Sequence, residues 1–425
     1  MQITRDIFFT LIKSLDSAKV LILKGARQVG KTTIMDEIQA YLTRQGKTTF
    51  YISADEDFDN SIFKTPQHFM ARLESEIDFS VAKVYVFIDE FQYINDAGRF
   101  IKVLHDKYHH KMQFIVSGSS SLEITKNSEF LTGRKIEFPI GRLSFTEVVR
   151  YREPGIQKAF AETAYSYDKW KILYEVHKTK LEILFARFAQ FGGYPEIVTT
   201  EDYDLKKTLI RELFSTYIQK DIIAFLRVEN VAAFNSLIKV LCSETANLLN
   251  KQSLANTLGI AINTLNKYLD ILQGTYVCHF LTPFFVNTRK EVSKMKKIFI
   301  NDSGLHNFIL NRFPATYNDI SGQEAENLAF AALRHYVTED NLFFYRTISK
   351  AEIDFIVDYG QTRDVIEVKF QNKVSGLPVA MRNFTKKYNT QKMILVTKQD
   401  FKEEDGRFYI PLPLFEFFLQ ANIWN

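Results

Sequence analysis

Short apolar runs rich in β-branched and aromatic residues alternate with helically spaced apolar positions over the first third of the chain. The runs are Val20–Leu23, Thr48–Ile52, Val84–Ile88 and Phe114–Val116, and a helical pattern starts at Thr32. Strands without a polar face, separated by helices, predict a mostly parallel sheet covered on both sides. From about Phe145 to Phe225 the period is helical, broken at Gly192-Gly193-Tyr194-Pro195, which reads as a turn. A compact helical segment follows over Asn247–Gly274, then β-like residues up to Val286 and a basic stretch from Arg289 to Lys297. Strands and helices mix again from Ile298 to Asn425, and there is no repeat or low-complexity tract. Four parts are expected: an α/β domain over 1–150, a helical lid or connector over 151–230, a helical segment over 231–297 and a second α/β domain over 298–425.

Composition narrows this only slightly. A length of 425 residues exceeds what one hydrophobic core organises, which fits a modular chain. With 46% hydrophobic and 24% charged residues, disordered and fibrous classes are excluded. The net charge of +4 is mild, so a nucleic-acid surface has to come from local clustering. Cys242 and Cys278 form no CxxC pair, which argues against a disulfide framework or a zinc site. No apolar run reaches the ~18 residues of a spanning helix, and the N-terminus lacks a signal-peptide pattern. A cytoplasmic, soluble protein without a membrane partner is expected.

The chemistry starts at Gly25, Gly30, Lys31 and Thr32, which meet G-x-x-x-x-G-K-[ST], the Walker A pattern, between a strand and a helix. In such a loop, Gly25-Ala26-Arg27-Gln28-Val29-Gly30-Lys31-Thr32-Thr33 turns backbone N–H groups onto ATP phosphates. Lys31 reaches the β/γ oxygens and Thr32 ligates Mg²⁺. The run Val84–Ile88 ends in Asp89 and Glu90, a Walker B arrangement in which Asp89 binds Mg²⁺ and Glu90 is the general base for the attacking water. The run Met112–Val116 ends in Ser117-Gly118-Ser119-Ser120, where Ser117 is the candidate γ-phosphate sensor. Arginine stabilises phosphoryl transfer, and Arg134, followed by Arg142, is the candidate for that role.

Together these residues resemble a prokaryotic family of AAA+-like P-loop ATPases, related to archaeal-type and STAND groups, that carry a C-terminal restriction-endonuclease-like domain of unknown function. Its marks here are Gly-Ala-Arg-Gln-Val-Gly-Lys-Thr, Ile88-Asp89-Glu90-Phe91-Gln92, the Ser-Gly-Ser-Ser turn and Leu131-Thr132-Gly133-Arg134. Gly192-Gly193-Tyr194-Pro195 and Lys297-Ile298-Phe299-Ile300-Asn301-Asp302-Ser303-Gly304-Leu305 complete the set. Gln28 departs from it, since many members carry a second arginine there.

Ser253–Ile260 and Ile262–Leu272 fit two helices about a glycine turn, with Asn263, Thr264, Asn266 and Lys267 on the outer face of the second. This resembles a winged helix. Arg289, Lys290, Lys294, Lys296 and Lys297 are candidate phosphate contacts. Near the end, strand periodicity places Glu367 and Lys369 on one face beside Asp354, with Glu326 aimed at them from a helix. The set resembles a D…ExK nuclease core, which implies a second Mg²⁺ or Mn²⁺.

The expected fold class is therefore α/β: a P-loop NTPase parallel sheet with a helical lid, a winged-helix-like segment and a C-terminal α/β nuclease-like domain. The expected activity is Mg²⁺-dependent ATP hydrolysis by a molecular switch or motor. Its candidate partners are DNA or RNA, a protein, or another copy of the chain. The alternatives are an ATP-regulated, metal-dependent nuclease of defence or repair type, and a nucleotide-dependent DNA-binding scaffold that cleaves nothing.

Overall fold

A computed structural model describes residues 3–56, 61–78, 83–118, 131–218, 228–284 and 295–422. Contacts divide them into two compact units: residues up to Leu143 together with Gly274–Tyr276, and Ser144–Gln273 together with residues from Val277 onward.

In the first unit, strands β1 (Val20–Lys24), β2 (Thr48–Ser53), β3 (Val84–Asp89), β4 (Met112–Gly118) and β5 (Lys135–Pro139) form one sheet in the order β2-β3-β4-β1-β5, and all neighbours are parallel. Helices α1 (Asp6–Ser14), α2 (Lys31–Arg44), α3 (Pro66–Glu76) and α4 (Ala97–Tyr108) accompany it. Every residue of β3 and β4 is buried, as the absence of a polar face in their sequence requires. Val86, Ile88, Phe114 and Val116 pack with Phe69, Phe100, Ile101 and Leu104 in one core, each such side chain gaining roughly 1.5–3 kcal/mol over the exposed state. Because the strands are parallel, the C-terminal ends of β1, β3 and β4 lie at one edge, which puts the Gly25 loop, Asp89 and Ser117 at the same end of the sheet.

The second unit opens with helices α5 (Phe145–Arg152), α6 (Pro154–Glu162), α7 (Tyr167–Phe191), α8 (Pro195–Thr199) and α9 (Tyr203–Leu213). Helices α10 (Val231–Ser243), α11 (Lys251–Leu258) and α12 (Ile262–Gly274) follow, then the antiparallel pair β6 (Cys278–Leu281) and β7 (Lys297–Ile300). Leu248, before α11, pairs antiparallel with Lys297 as an isolated β-bridge beside this two-stranded sheet. Helices α13 (Ser303–Leu310) and α14 (Gly322–Tyr336) lead into a six-stranded sheet. It comprises β8 (Leu342–Arg346), β9 (Glu352–Asp358), β10 (Arg363–Lys369), β11 (Thr390–Thr397), β12 (Lys402–Glu404) and β13 (Arg407–Pro411), in the order β12-β13-β11-β10-β9-β8. Helix α15 (Val379–Lys387) precedes β11 and α16 (Leu412–Asn422) closes the described chain.

This sheet carries a core on each face, as strand alternation dictates: Phe355, Ile366, Ile394 and Val396 on one side, Ile356, Val365 and Leu395 on the other. The first of these cores also contains Phe145, Val149, Trp170, Tyr174, Leu181 and Phe185. The stretch 151–230 is therefore not a lid with a core of its own. Over α5–α7 its apolar faces complete the covering layer of the C-terminal sheet, and the aromatic face of α16, with Phe415, Phe417 and Phe418, joins them.

The glycine turn after α7 has a specific partner. Gly192 has φ 77°, and a Cβ there would lie 2.3 Å from the Asp302 carboxylate. Gly193 N donates to Asp302 Oδ2 at 3.1 Å, while Oδ1 caps α13 by accepting from Leu305 N at 2.8 Å. A Cβ on Gly304 would meet Phe191 O at 2.1 Å. Thus Gly192-Gly193 and Asp302-Ser303-Gly304, far apart in sequence, form one close backbone contact within the second unit.

Candidate active site

The loop leaving β1 is shaped by close approach as much as by any ligand. A Cβ on Gly25 would lie 2.1 Å from Ile140 O, so only glycine fits beside the end of β5. Gln28 (φ 61°) and Gly30 (φ 92°) take left-handed conformations that turn the chain into α2. The first helical hydrogen bond runs from Ile34 N to Gly30 O, leaving the amides of Lys31, Thr32 and Thr33 as the unpaired donors that make a helix N-terminus attractive to phosphate. Arg5, just before α1, braces the loop from beneath: it is buried and donates to Val29 O at 2.9 Å and Gly141 O at 2.8 Å. No motif marks Arg5 in the sequence, because its partners lie 24 and 136 residues away.

Lys31 is only 5% exposed and folds back on the loop, donating to Ala26 O at 2.8 Å and Gly25 O at 3.3 Å. Burial pulls its ammonium down to about 8, against the opposing pull of Glu90 and Asp89. Asp89, 3% exposed, is surrounded by donors: Thr32 Oγ1 at 2.6 Å, Tyr51 Oη at 2.9 Å, Glu90 N at 2.9 Å and the Ser117 hydroxyl. These offset the several kcal/mol that an isolated buried carboxylate costs, roughly, on leaving water. Tyr51, within β2, escaped sequence reasoning, since a lone tyrosine inside a strand carries no signal. Burial, then the Asp89 charge, raises its phenol well above the usual tyrosine range. Glu90 sits in a left-handed conformation (φ 49°, ψ 41°) and accepts from the Gln92 amide.

The structure thus brings Lys31, Thr32, Asp89, Glu90 and Ser117 to one edge of the first sheet. The donor set fits Mg²⁺ bound with a nucleotide: a threonine hydroxyl and a buried carboxylate offer hard oxygen ligands beside a helix N-terminus. Arg134 is placed elsewhere. Its carbonyl accepts from Val20 N at the start of β1, about 16 Å of strand away from the loop. Its guanidinium is 2.5 Å from Asp106. Within this chain Arg134 is therefore removed from the phosphates, a correction to its expected role. Arg142 donates to Tyr276 O at 3.2 Å. Ser119 and Ser120 lie outside the described residues.

A pH dependence follows from Lys31. Phosphate favours the charged ammonium, so binding raises a pKa that is about 8 in the free loop. The favourable interaction is complete below that value and is lost as pH rises through it. Above about pH 8, ATP affinity is expected to weaken by up to about tenfold per pH unit. Calorimetry near that pH in buffers of different ionisation enthalpy should register proton uptake; binding that stays equally tight at high pH would show that the amine is not the phosphate contact.

In the second unit Glu326, Asp354, Glu367 and Lys369 also come together, but with two residues the sequence pattern did not indicate. Lys297, 2% exposed, places its Nζ 2.5 Å from Glu352, 2.7 Å from Glu326 and 3.5 Å from Asp354. Asp354 Oδ2 accepts from Val368 N at 2.8 Å, Glu367 Oε2 from Asp354 N at 3.3 Å and Glu367 Oε1 from Lys369 Nζ at 2.6 Å. Burial and then Asp354 push Glu326 up to about 8 and Glu367 up to about 7. For Lys297, burial works against the charged form, yet Glu326, Asp354 and Glu352 outweigh it and the pKa lies above the ordinary lysine value. Lys297 Nζ therefore stands among the carboxylates to which the D…ExK pattern assigns a divalent metal. Lys297 is correspondingly not a phosphate contact; Lys296 is exposed, and Arg289, Lys290 and Lys294 lie outside the described residues.

No helix among the described residues is long and apolar enough to cross a membrane. Residues 17–149 match an AAA domain, and 183–316 and 321–415 each match a domain of unknown function. An uncharacterised protein of Haemophilus influenzae is 23% identical over 85% of this chain and 85% of its own length. Another, from Methanocaldococcus jannaschii, is 25% identical over 87% of this chain and 78% of its own. Among solved structures, the replication initiator DnaA bound to AMPPCP and single-stranded DNA is 12% identical. It covers 64% of this chain and 90% of that one, at a TM-score of 0.29, too low to bear on the fold. The AAA match coincides with the five-stranded parallel sheet and its loop, so residues 17–149 are similar to an AAA domain over the part of the chain that carries the P-loop pattern.

Proposed function

We propose that the chain is an ATP-hydrolysing molecular switch whose output acts on nucleic acid. The observation that carries the ATPase half is the single buried carboxylate of Asp89, tied at once to the P-loop through Thr32 and to β2 and β4 through Tyr51 and Ser117. A change at the phosphates is felt by Asp89 and, through these hydrogen bonds, by two further strands. Lys31 leaves the carbonyls of Gly25 and Ala26 to meet the β/γ oxygens, and the amides of Lys31, Thr32 and Thr33 hold the phosphates in place. Thr32 and Asp89 would hold Mg²⁺, which when bound supplies positive charge to the phosphate oxygens. Glu90 takes the proton of the attacking water, and Ser117 reports the γ-phosphate to β4.

Nucleic acid as the partner is supported by the order α10, bridge, α11, α12, β6–β7, the element sequence of a winged helix. Leu265, Tyr268, Leu269 and Leu272 of α12 are buried while Asn263 and Lys267 are exposed on its outer face. Such a helix offers polar groups to a groove and an apolar side to its own core.

Turnover measured with and without duplex DNA, alongside anisotropy binding at two salt concentrations, tests the proposal. DNA is expected to bind more weakly at higher salt and to stimulate turnover, with both effects reduced in Lys267→Glu. DNA that neither binds nor stimulates would make the partner a protein instead.

A further inference from the structure

We infer that Lys297 is the resident cation of the acidic centre in the second unit, and that this centre is held together without a divalent metal. Four elements build it. Strand period two places Glu352 and Asp354 on one face of β9 and Glu367 and Lys369 on one face of β10. The pairing of Phe355 with Ile366 sets Asp354 beside Glu367. Glu326 enters from the first turns of α14, whose start is fixed by the Ser321–Glu324 capping box. Lys297 arrives from β7, held there by its pairing with Leu281 and Leu248.

An ammonium buried this deeply demands counter-charges, which Glu352 and Asp354 supply, while Glu326 Oε1 accepts a hydrogen bond from it at 2.7 Å. The carboxylates in turn need cations, and Lys297, Lys369 and Arg346 are their ion-pair partners. Mg²⁺ or Mn²⁺ would compete for the same oxygens. Such an ion prefers oxygens at about 2.0–2.1 Å in a near-regular octahedron, and the oxygens available here are those that Lys297 Nζ already approaches at 2.5–3.5 Å. The two strand carboxylates that a D…ExK site would turn toward a metal are also committed elsewhere: Asp354 to Val368 N and Lys297, Glu367 to Lys369 and Asp354 N.

The consequence is mechanical. Lys297 fastens the β6–β7 hairpin to the edge of the six-stranded sheet, where its ammonium also lies 5.8 Å from the centre of the Phe344 ring of β8. The centre joins the winged-helix-like segment to the C-terminal sheet and does not cut phosphodiesters. This stands independently of the ATPase proposal, since none of these residues belongs to the P-loop unit.

The test is a count of Mn²⁺ bound to the full, nucleotide-free chain by electron paramagnetic resonance, in wild type and Asp354→Asn. Equal counts are expected, any bound ions lying elsewhere. One ion fewer in Asp354→Asn would overturn the inference. A melting experiment on Lys297→Met gives a second arm: Tm is expected to fall by about 10 °C, with partial recovery in Mn²⁺ that wild type does not show. A variant as stable as wild type would likewise overturn it. Should Lys297→Met not fold, the Mn²⁺ count still decides, because it needs neither that variant nor any activity.

Discussion

Lys31→Ala is expected to abolish measurable ATP turnover while leaving the nucleotide-free protein at least as stable as wild type. Both halves follow from its placement. The ammonium is 5% exposed, its pKa is pulled down by burial, and in the free chain it has loop carbonyls as its hydrogen-bond acceptors. Folding therefore gains little from it, and removing a desolvated charge relieves a burden. Phosphate binding gains a great deal: a charge-assisted hydrogen bond in a partly dry site is lost outright, at about 2–5 kcal/mol, or roughly thirty- to several-thousand-fold in affinity. The transition state, with more charge on the transferring group, loses further stabilisation. Labelled-nucleotide binding, phosphate release and a melting curve on the same sample separate the effects. Turnover equal to wild type would place the phosphates somewhere other than this loop.

The parts of this site that could be read in the sequence are those in which chemistry is packed into consecutive residues. Gly25 to Thr33 is one such stretch, and Val84 to Glu90 is another, because a strand with no polar face that ends in two carboxylates needs a cation nearby. The parallel sheet was legible for the same reason: uniformly apolar strands mean helices on both faces. Arg5 and Tyr51 were not legible. Each acts through a single side chain on a partner remote in sequence, and only the fold brings the two together. Lys297 shows the opposite error. In the sequence it ends a basic run and reads as a phosphate contact, but strand β7 turns it inward while Lys296 stays exposed, and period two alone makes that difference.

The stretch expected to be a lid or connector packs differently for a related reason. Helical periodicity identifies which face of a helix is apolar, but not what covers it. The apolar faces of α5–α7 could cover the P-loop sheet as a lid or a different sheet altogether, and their residues look alike in either case. Here Phe145, Trp170 and Phe185 share a core with Phe355, Ile366 and Phe417. The two glycine-bearing motifs belong to the same account: Gly192 and Gly304 are required by backbone contacts inside the second unit, with Asp302 tying the end of α7 to the start of α13.

Glu90→Gln is expected to bind ATP about as well as wild type and to hydrolyse it about 10²–10⁴ times more slowly. The carboxylate stands one residue beyond the buried end of β3, and its backbone amide is anchored on Asp89 Oδ1 at 2.9 Å. Its left-handed conformation, costly by about 1–2 kcal/mol for a non-glycine residue, turns the chain sharply at this point. Such strain at the end of a buried strand is expected where a side chain must face a ligand instead of the core. The Gln92 amide holds one oxygen, and the charge of Glu90 is strong enough at Lys31 to oppose the effect of burial there. Glutamine keeps the size and an acceptor oxygen but cannot take a proton, so positioning survives while base strength is lost. Single-turnover kinetics with prebound ATP separate the two, since a trapped, intact nucleotide marks loss of the base alone. Wild-type rates in the variant would assign proton transfer to another group, and loss of binding would make Glu90 part of the phosphate cradle instead.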